Sequence, residues 1–274
     1  MSPWSAPWPY SVSGNVKSRW LTLVGIVAAL AVAGAALDRV VAPVWAEVRR
    51  RQPAMRLDSA SAAAGQGVSL ALLGGFRALV ADGAWIQMYA LWEQRDLPGT
   101  ETLARLVTTI DPRPVYFWLN AARVVAYDFP AWRIEAAGGY EAVPAEVQRR
   151  ISHEQARVAL RQIAAGMAFH PESTELWMER ANIELNRLGD LVAAAESYRR
   201  AAELPRAPYY VARLHAEVLR RAGRKAEALA WLVKLHPTLP ASDPGAAADV
   251  VEGRIRELER ELGVPAEQAY QPPQ

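Results

Sequence analysis

Apolar residues in this chain recur at helical spacing from Val68 onward, and no strand-like alternation of useful length interrupts them. Leu70, Leu73, Phe76, Leu79, Trp85, Met88, Leu91 and Trp92 trace one stripe over 68–93. Pro98-Gly99 breaks it, and Leu103, Leu106 and Ile110 resume a helix over 100–110. Trp118, Ala121, Ala122 and Val125 predict a helix over 115–127. Ile151, Ala156, Ala159, Ile163 and Met167 predict a long one from Pro144 to about Phe169. Four shorter helices are expected at 174–188, 191–204, 208–222 and 225–235. On the last helix, 245–263, Val251, Ile255, Leu258 and Leu262 form a narrow stripe among Arg and Glu. That polar remainder suits an end cap, on which nothing further stacks. The expected fold is all-α, closing in a disordered tail at 264–274.

One segment departs from amphipathic patterning. Trp20 to Leu37 is 18 residues without a charge, apolar on every side. At about 1.5 Å per residue that meets the lower limit for crossing a hydrocarbon core of about 30 Å. The segment is expected to be a single transmembrane signal anchor, after an N-terminal segment 1–19 and before a juxtamembrane helix and linker at 38–65. A cleaved signal peptide is the alternative, since Ala33-Gly34-Ala35 offers a small-x-small site. Lys17 and Arg19 favour a cytoplasmic N-terminus and an exported body, whereas Arg39, Arg49, Arg50 and Arg51 favour the reverse. A periplasmic domain on a single-pass bacterial inner-membrane protein is expected, with the cytoplasmic side the alternative.

The amphipathic part repeats. Residues 187–204 and 221–235 superimpose without a gap, placing Gly189 on Gly223 and Ala194 on Ala228, 34 residues apart. Pro171 and Pro205 share that spacing. A period of 34 marks stacked helix–turn–helix units, about three and a half of them here. Upstream the spacing stretches: Pro112 to Pro171 and Trp118 to Trp177 are each 59 residues. The excess fits an insertion at 128–150, where Pro130, Gly138, Gly139 and Pro144 predict a loop. Trp177 is also one residue out of phase with Gly189, which implies a one-residue insertion in the 174–188 helix.

These residues resemble the tetratricopeptide repeat (TPR) family, with Trp177, Ala181, Gly189-Asp190, Ala194, Tyr198, Ala201 and Pro205 in its order. Ala216, Leu219, Gly223, Ala228 and Leu232 follow in the next unit, and LGGFRALVADGAW looks like an opening seen in membrane-anchored bacterial members. Leu235 and His215 depart from the pattern. The resemblance implies a TPR-like α-solenoid over 66–236, a right-handed superhelix of hairpins, that binds proteins or peptides and holds assemblies together.

Candidate chemistry is sparse. The chain has no cysteine, which removes disulfides, thiolate metal sites and cysteine nucleophiles. A formal net charge of +2, with both signs interleaved, gives no nucleic-acid footprint. His153, His170, His215 and His236 lie in no metal-ligand spacing; His170 and His236, each before a proline, are expected to cap helix ends. His215 is expected to be packed. Asp111 is expected at a helix end, and Asp82 exposed. No phosphate loop, nucleophile elbow or nucleotide fingerprint occurs. No catalytic residue, metal, cofactor or small-molecule substrate is therefore expected. The expected partner face lies on the first helix of two units: Glu179, Asn182, Asn186 and Arg187 on one, Tyr210, Arg213, Glu217, Arg220 and Arg221 on the other. There Asn side chains would clamp a peptide backbone and Arg would grip carboxylates. The expected function is a membrane-anchored scaffold of a bacterial envelope assembly, in contact with the bilayer through 20–37. The alternative is a structural subunit bound mainly through its transmembrane and juxtamembrane helices.

Overall fold

Helices fill the described part of the chain, residues 76–240 and 242–272 of the computed structural model. They are α1 (Arg77–Glu93), α2 (Leu97–Ile110), α3 (Val115–Arg123), α4 (Phe129–Ala136), α5 (Ala145–Phe169), α6 (Thr174–Ile183), α7 (Leu191–Ala202), α8 (Tyr209–Arg221), α9 (Lys225–Leu235) and α10 (Ala248–Leu262). No strand occurs among the described residues. The chain divides into two units, 1–80 and 81–274. Of the first, only 76–80 are described, as the opening of α1; all later elements belong to the second. The expected membrane segment 20–37, the flanking stretches 1–19 and 38–65, and the first residues of the repeat region lie outside the described residues. No helix among the described residues is long and apolar enough to cross a membrane.

Helices that follow one another pack on one another: α5 on α6, α6 on α7, α7 on α8, α8 on α9 and α9 on α10. Small residues line these seams. Ala121, Ala122, Ala126, Ala156, Ala159, Ala181, Ala194, Ala201 and Ala228 are all fully buried. A methyl group at a crossing lets helix axes approach to the short end of the usual 8–10 Å. Gly166 of α5 carries this furthest, for a Cβ there would sit 2.9 Å from Cγ of Trp118. The Trp118 ring is fixed in turn, donating from Nε1 to the Pro112 carbonyl at 2.8 Å and stacking on Phe169 at 5.7 Å.

Turn chemistry sets the hairpins. Gly189 takes φ 67° to end the first helix of its pair, and Asp190 caps the second by accepting from the Ala193 N–H at 2.9 Å. Ser173 caps α6 in the same way through the Leu176 N–H. Pro98 does not break a helix as expected. It sits in the first turn of α2, where a missing N–H costs nothing, and Asp96 accepts from the Gly99 N–H at 3.1 Å.

The out-of-phase tryptophan has a structural counterpart. The helix begun by α6 widens into a π-turn at Glu184–Leu188, which accommodates one extra residue within a helix. A second π-turn, Val124–Asp128, follows α3. This one corrects the expected loop at 128–150. The chain continues as α4 through Ala136, with Pro130 in its first turn, and only residues 137–144 form a connection. Proline inside a helix meets the carbonyl four residues back. Here the π-turn, closed by the Phe129 N–H on the Val124 carbonyl, widens the ladder just before the ring.

The C-terminal end also differs from expectation. Residues 264–272, expected to be disordered, carry a 3-10 turn at Ala266–Gln268 and return to the body through Tyr270. Its hydroxyl meets His236 Nδ1 at 3.0 Å, its N–H donates to Glu259 at 2.5 Å, and Arg256 donates to its carbonyl at 2.7 Å.

Candidate functional site

The first helices of successive units bring their polar residues around one phenol. Tyr198 of α7 is nearly buried and donates to Asn182 Oδ1 at 2.6 Å. Its pKa is pushed up to about 12, first by burial and then by the neighbouring Tyr127 and Glu179; Arg221 opposes and Tyr210 adds slightly.

Glu179 was expected outside, and the structure corrects this: it is 2% exposed. Arg123, which is half exposed, donates to it from Nε at 2.9 Å, so the burial is compensated by a charge-assisted bond. Asn182 is half-buried and engaged by Tyr198, while Asn186 stays exposed. Arg187 lays its guanidinium 4.5 Å from the centre of the Tyr127 ring and donates to the Tyr127 carbonyl at 3.4 Å. Burial raises the Tyr127 pKa, with Glu179 adding to it; Arg187 and a hydrogen bond from Asn186 work the other way. The two π-turns thus meet, Arg187 of one over Tyr127 of the other.

The α8 group separates. Tyr210 and Arg221 are exposed, with the Tyr210 hydroxyl 3.7 Å from Met178 Sδ of α6. Arg213 instead donates to the Ala246 carbonyl at 2.8 Å and ties α8 to the turn before α10. Glu217 is bonded by Arg220 at 2.7 Å, which holds its carboxyl below the ordinary range, and Arg254 of α10 stands 3.8 Å away. Arg213 and Glu217 therefore join this unit to the next, and Arg220 holds Glu217 in place. The open part of the expected face is Asn186, Tyr210 and Arg221, bordered by Arg187 and Tyr127.

Arg123 and Tyr127 were absent from the expected set. The signal for them was present: the offset of 59 that relates Trp118 to Trp177 also relates Arg123 to Asn182 and Tyr127 to Asn186.

Three of the four histidines are structural. His215 is buried, its Nδ1 at 2.7 Å from the Ala195 carbonyl and its ring edge-on to Trp231 at 4.5 Å. His170 occupies the C-cap of α5, its N–H on the Gly166 carbonyl at 3.0 Å, while its ring Nε2 meets the Pro112 carbonyl of the preceding unit at 2.8 Å. His236 likewise caps α9, its N–H on the Leu232 carbonyl, while its ring turns to Tyr270. Asp111 is buried at the end of α2, bonded by Arg113 at 2.7 and 2.8 Å, and Asp82 is exposed. Among the described residues no group of three His, Asp or Glu side chains is placed to hold a metal ion.

No family model matches the sequence, and no curated protein matches it. Among solved structures, a thermophilic TPR protein of Thermus thermophilus matches at 17% identity and a TM-score of 0.39, over 76% of this chain and 97% of that one.

Proposed function

We propose that this chain is a non-enzymatic scaffold of a bacterial envelope assembly, holding a protein partner on the face formed by Tyr127, Asn182, Asn186, Arg187, Tyr210 and Arg221. The observation that carries the reading is the set of contacts linking these elements: Tyr198 on Asn182, Arg187 over Tyr127, and the Tyr210 hydroxyl beside Met178. Internal bonds already fix Asn182, Arg187 and Tyr127, so little side-chain freedom is lost when a partner docks. Tyr and Arg are also the residue types that most often dominate protein interfaces. The apolar run 20–37 would tether this scaffold to the inner membrane, with the helical region in the periplasm.

The test is affinity capture from membranes of the source cell, comparing the wild type with Asn186→Ala/Tyr210→Ala/Arg221→Ala. A protein retained by the wild type and lost from the triple variant supports the reading. Equal retention removes it. The exposed Ile86, 71% accessible, and Tyr89 beside it on α1 favour a second reading, in which the Trp-rich first helix joins the membrane segment in binding a membrane subunit. Then the triple variant would retain the partner, while Ile86→Glu would lose it.

A further inference from the structure

A cleft of about 330 Å³ opens where the inserted segment meets the second π-turn. Pro130 and Ile134 of α4, both buried, contribute apolar lining. Arg149, Ser152 and His153 come from the opening turns of α5, at the i, i+3, i+4 spacing that places them on one helix face. Asn186 and Arg187 of the π-turn complete the polar lining. The residues around the cleft include two guanidiniums and an imidazole, and no carboxylate is among them.

This charge is not balanced from within. Among the described residues, neither Arg149 nor Arg187 has a carboxylate within 4.0 Å, and Arg187 Nε is buried with no hydrogen-bond partner. Glu154, next to His153 in sequence, is taken by Arg133 at 3.0 Å. Gathering cations without counter-charge is unfavourable, and a bound anion reverses the sign of that interaction. The cleft is also held in shape. Gln148 Nε2 donates to the Tyr140 carbonyl at 2.8 Å and to the Val143 carbonyl at 2.7 Å, clamping the 137–144 connection onto α5. The Tyr127 ring fixes the Arg187 guanidinium. A volume of this order sits at the lower end of small-ligand sites, about 300–1,000 Å³.

We propose that this cleft binds a small organic anion carrying a carboxylate or phosphate group. Arg149 and Arg187 supply the charge, and Ser152, His153 and Asn186 supply further hydrogen-bonding groups. Guanidinium donors match both oxyanions bidentately. The cleft shares Asn186 and Arg187 with the partner face, whereas Arg149, Ser152 and His153 belong to the cleft alone.

Isothermal titration of the full chain at low ionic strength tests it, with inorganic phosphate in one arm and succinate in the other. The expected result is saturable binding of at least one probe, weakened roughly tenfold or more in Arg149→Gln. Arg149 is exposed and makes no bond whose loss would unfold the chain. The arm that saturates identifies phosphoryl or carboxylate chemistry. Arg221→Gln, on the partner face, should bind as the wild type does. No saturable binding in either arm, unchanged affinity in Arg149→Gln, or equal weakening by Arg221→Gln overturns the proposal. Failure of partner capture leaves it standing.

Discussion

Single residues carry much of the packing specificity, and Gly166 is the sharpest case. Alanine raises helix propensity by about 1 kcal/mol over glycine. Here, though, its methyl would press on a Trp118 ring already fixed at Nε1 and across its face. Overpacking costs about 1–3 kcal/mol, so Gly166→Ala should lower the thermal midpoint despite its better propensity. A midpoint equal to or above the wild type's would show that the α3–α5 seam has slack. His215 offers a pH test. Burial lowers its pKa from an ordinary value of about 6.5, against the pull of the Ala195 carbonyl. The folded value lies below the unfolded one, so between them the unfolded chain holds more protons and stability rises with pH. The contribution is complete above about pH 6.5 and is lost as the pH falls below it. Urea midpoints should therefore drop on acidification, and His215→Gln should show a smaller drop. An unchanged drop would assign the acid sensitivity to other groups.

At the scale of elements, the π-turns show what a repeat period reveals and what it hides. The slip between Trp177 and Gly189 was legible as one extra residue, and Glu184–Leu188 absorbs it. The matching turn at 124–128 was hidden, because Pro130 reads as a helix breaker when the wider turn before it cannot be seen. Glu179 was misplaced for a related reason. Its partner Arg123 lies 56 residues away, and local spacing carries no information about that pairing. By contrast the alanine seams, the Gly189 turn and the packed His215 follow from local chemistry and were read correctly. The second π-turn is anchored by Glu184, which is buried and accepts from Arg180 Nε at 2.9 Å and from Ser197 of α7 at 2.6 Å. Glu184→Ala leaves buried Ser197 without its acceptor and should cost about 1–3 kcal/mol. Glu184→Gln keeps an oxygen for Ser197 and should recover part of the loss in urea unfolding. Equal stability of the two variants would mean that the π-turn is held by packing alone.

Across the whole molecule, stacking of neighbours predicts that damage stays local. In arrays of this kind stability is close to a sum of unit terms and nearest-neighbour interfaces. The returning tail covers one end, through Tyr270 on His236, Glu259 and Arg256. Truncation after Gly263 should therefore speed amide exchange in α9 and α10 and leave α3 and α5 unchanged. Faster exchange throughout would indicate one cooperative core. The same stacking leaves a row of first helices whose polar groups converge, and partner binding there is the central functional claim. Photo-crosslinking in native membranes tests it most directly, with a photoreactive residue in place of Tyr210 and, as control, of Val192, which is 60% exposed on a second helix. Docking on the first-helix face predicts a discrete protein adduct at position 210 and none at 192. An adduct at 192 with none at 210 would contradict it.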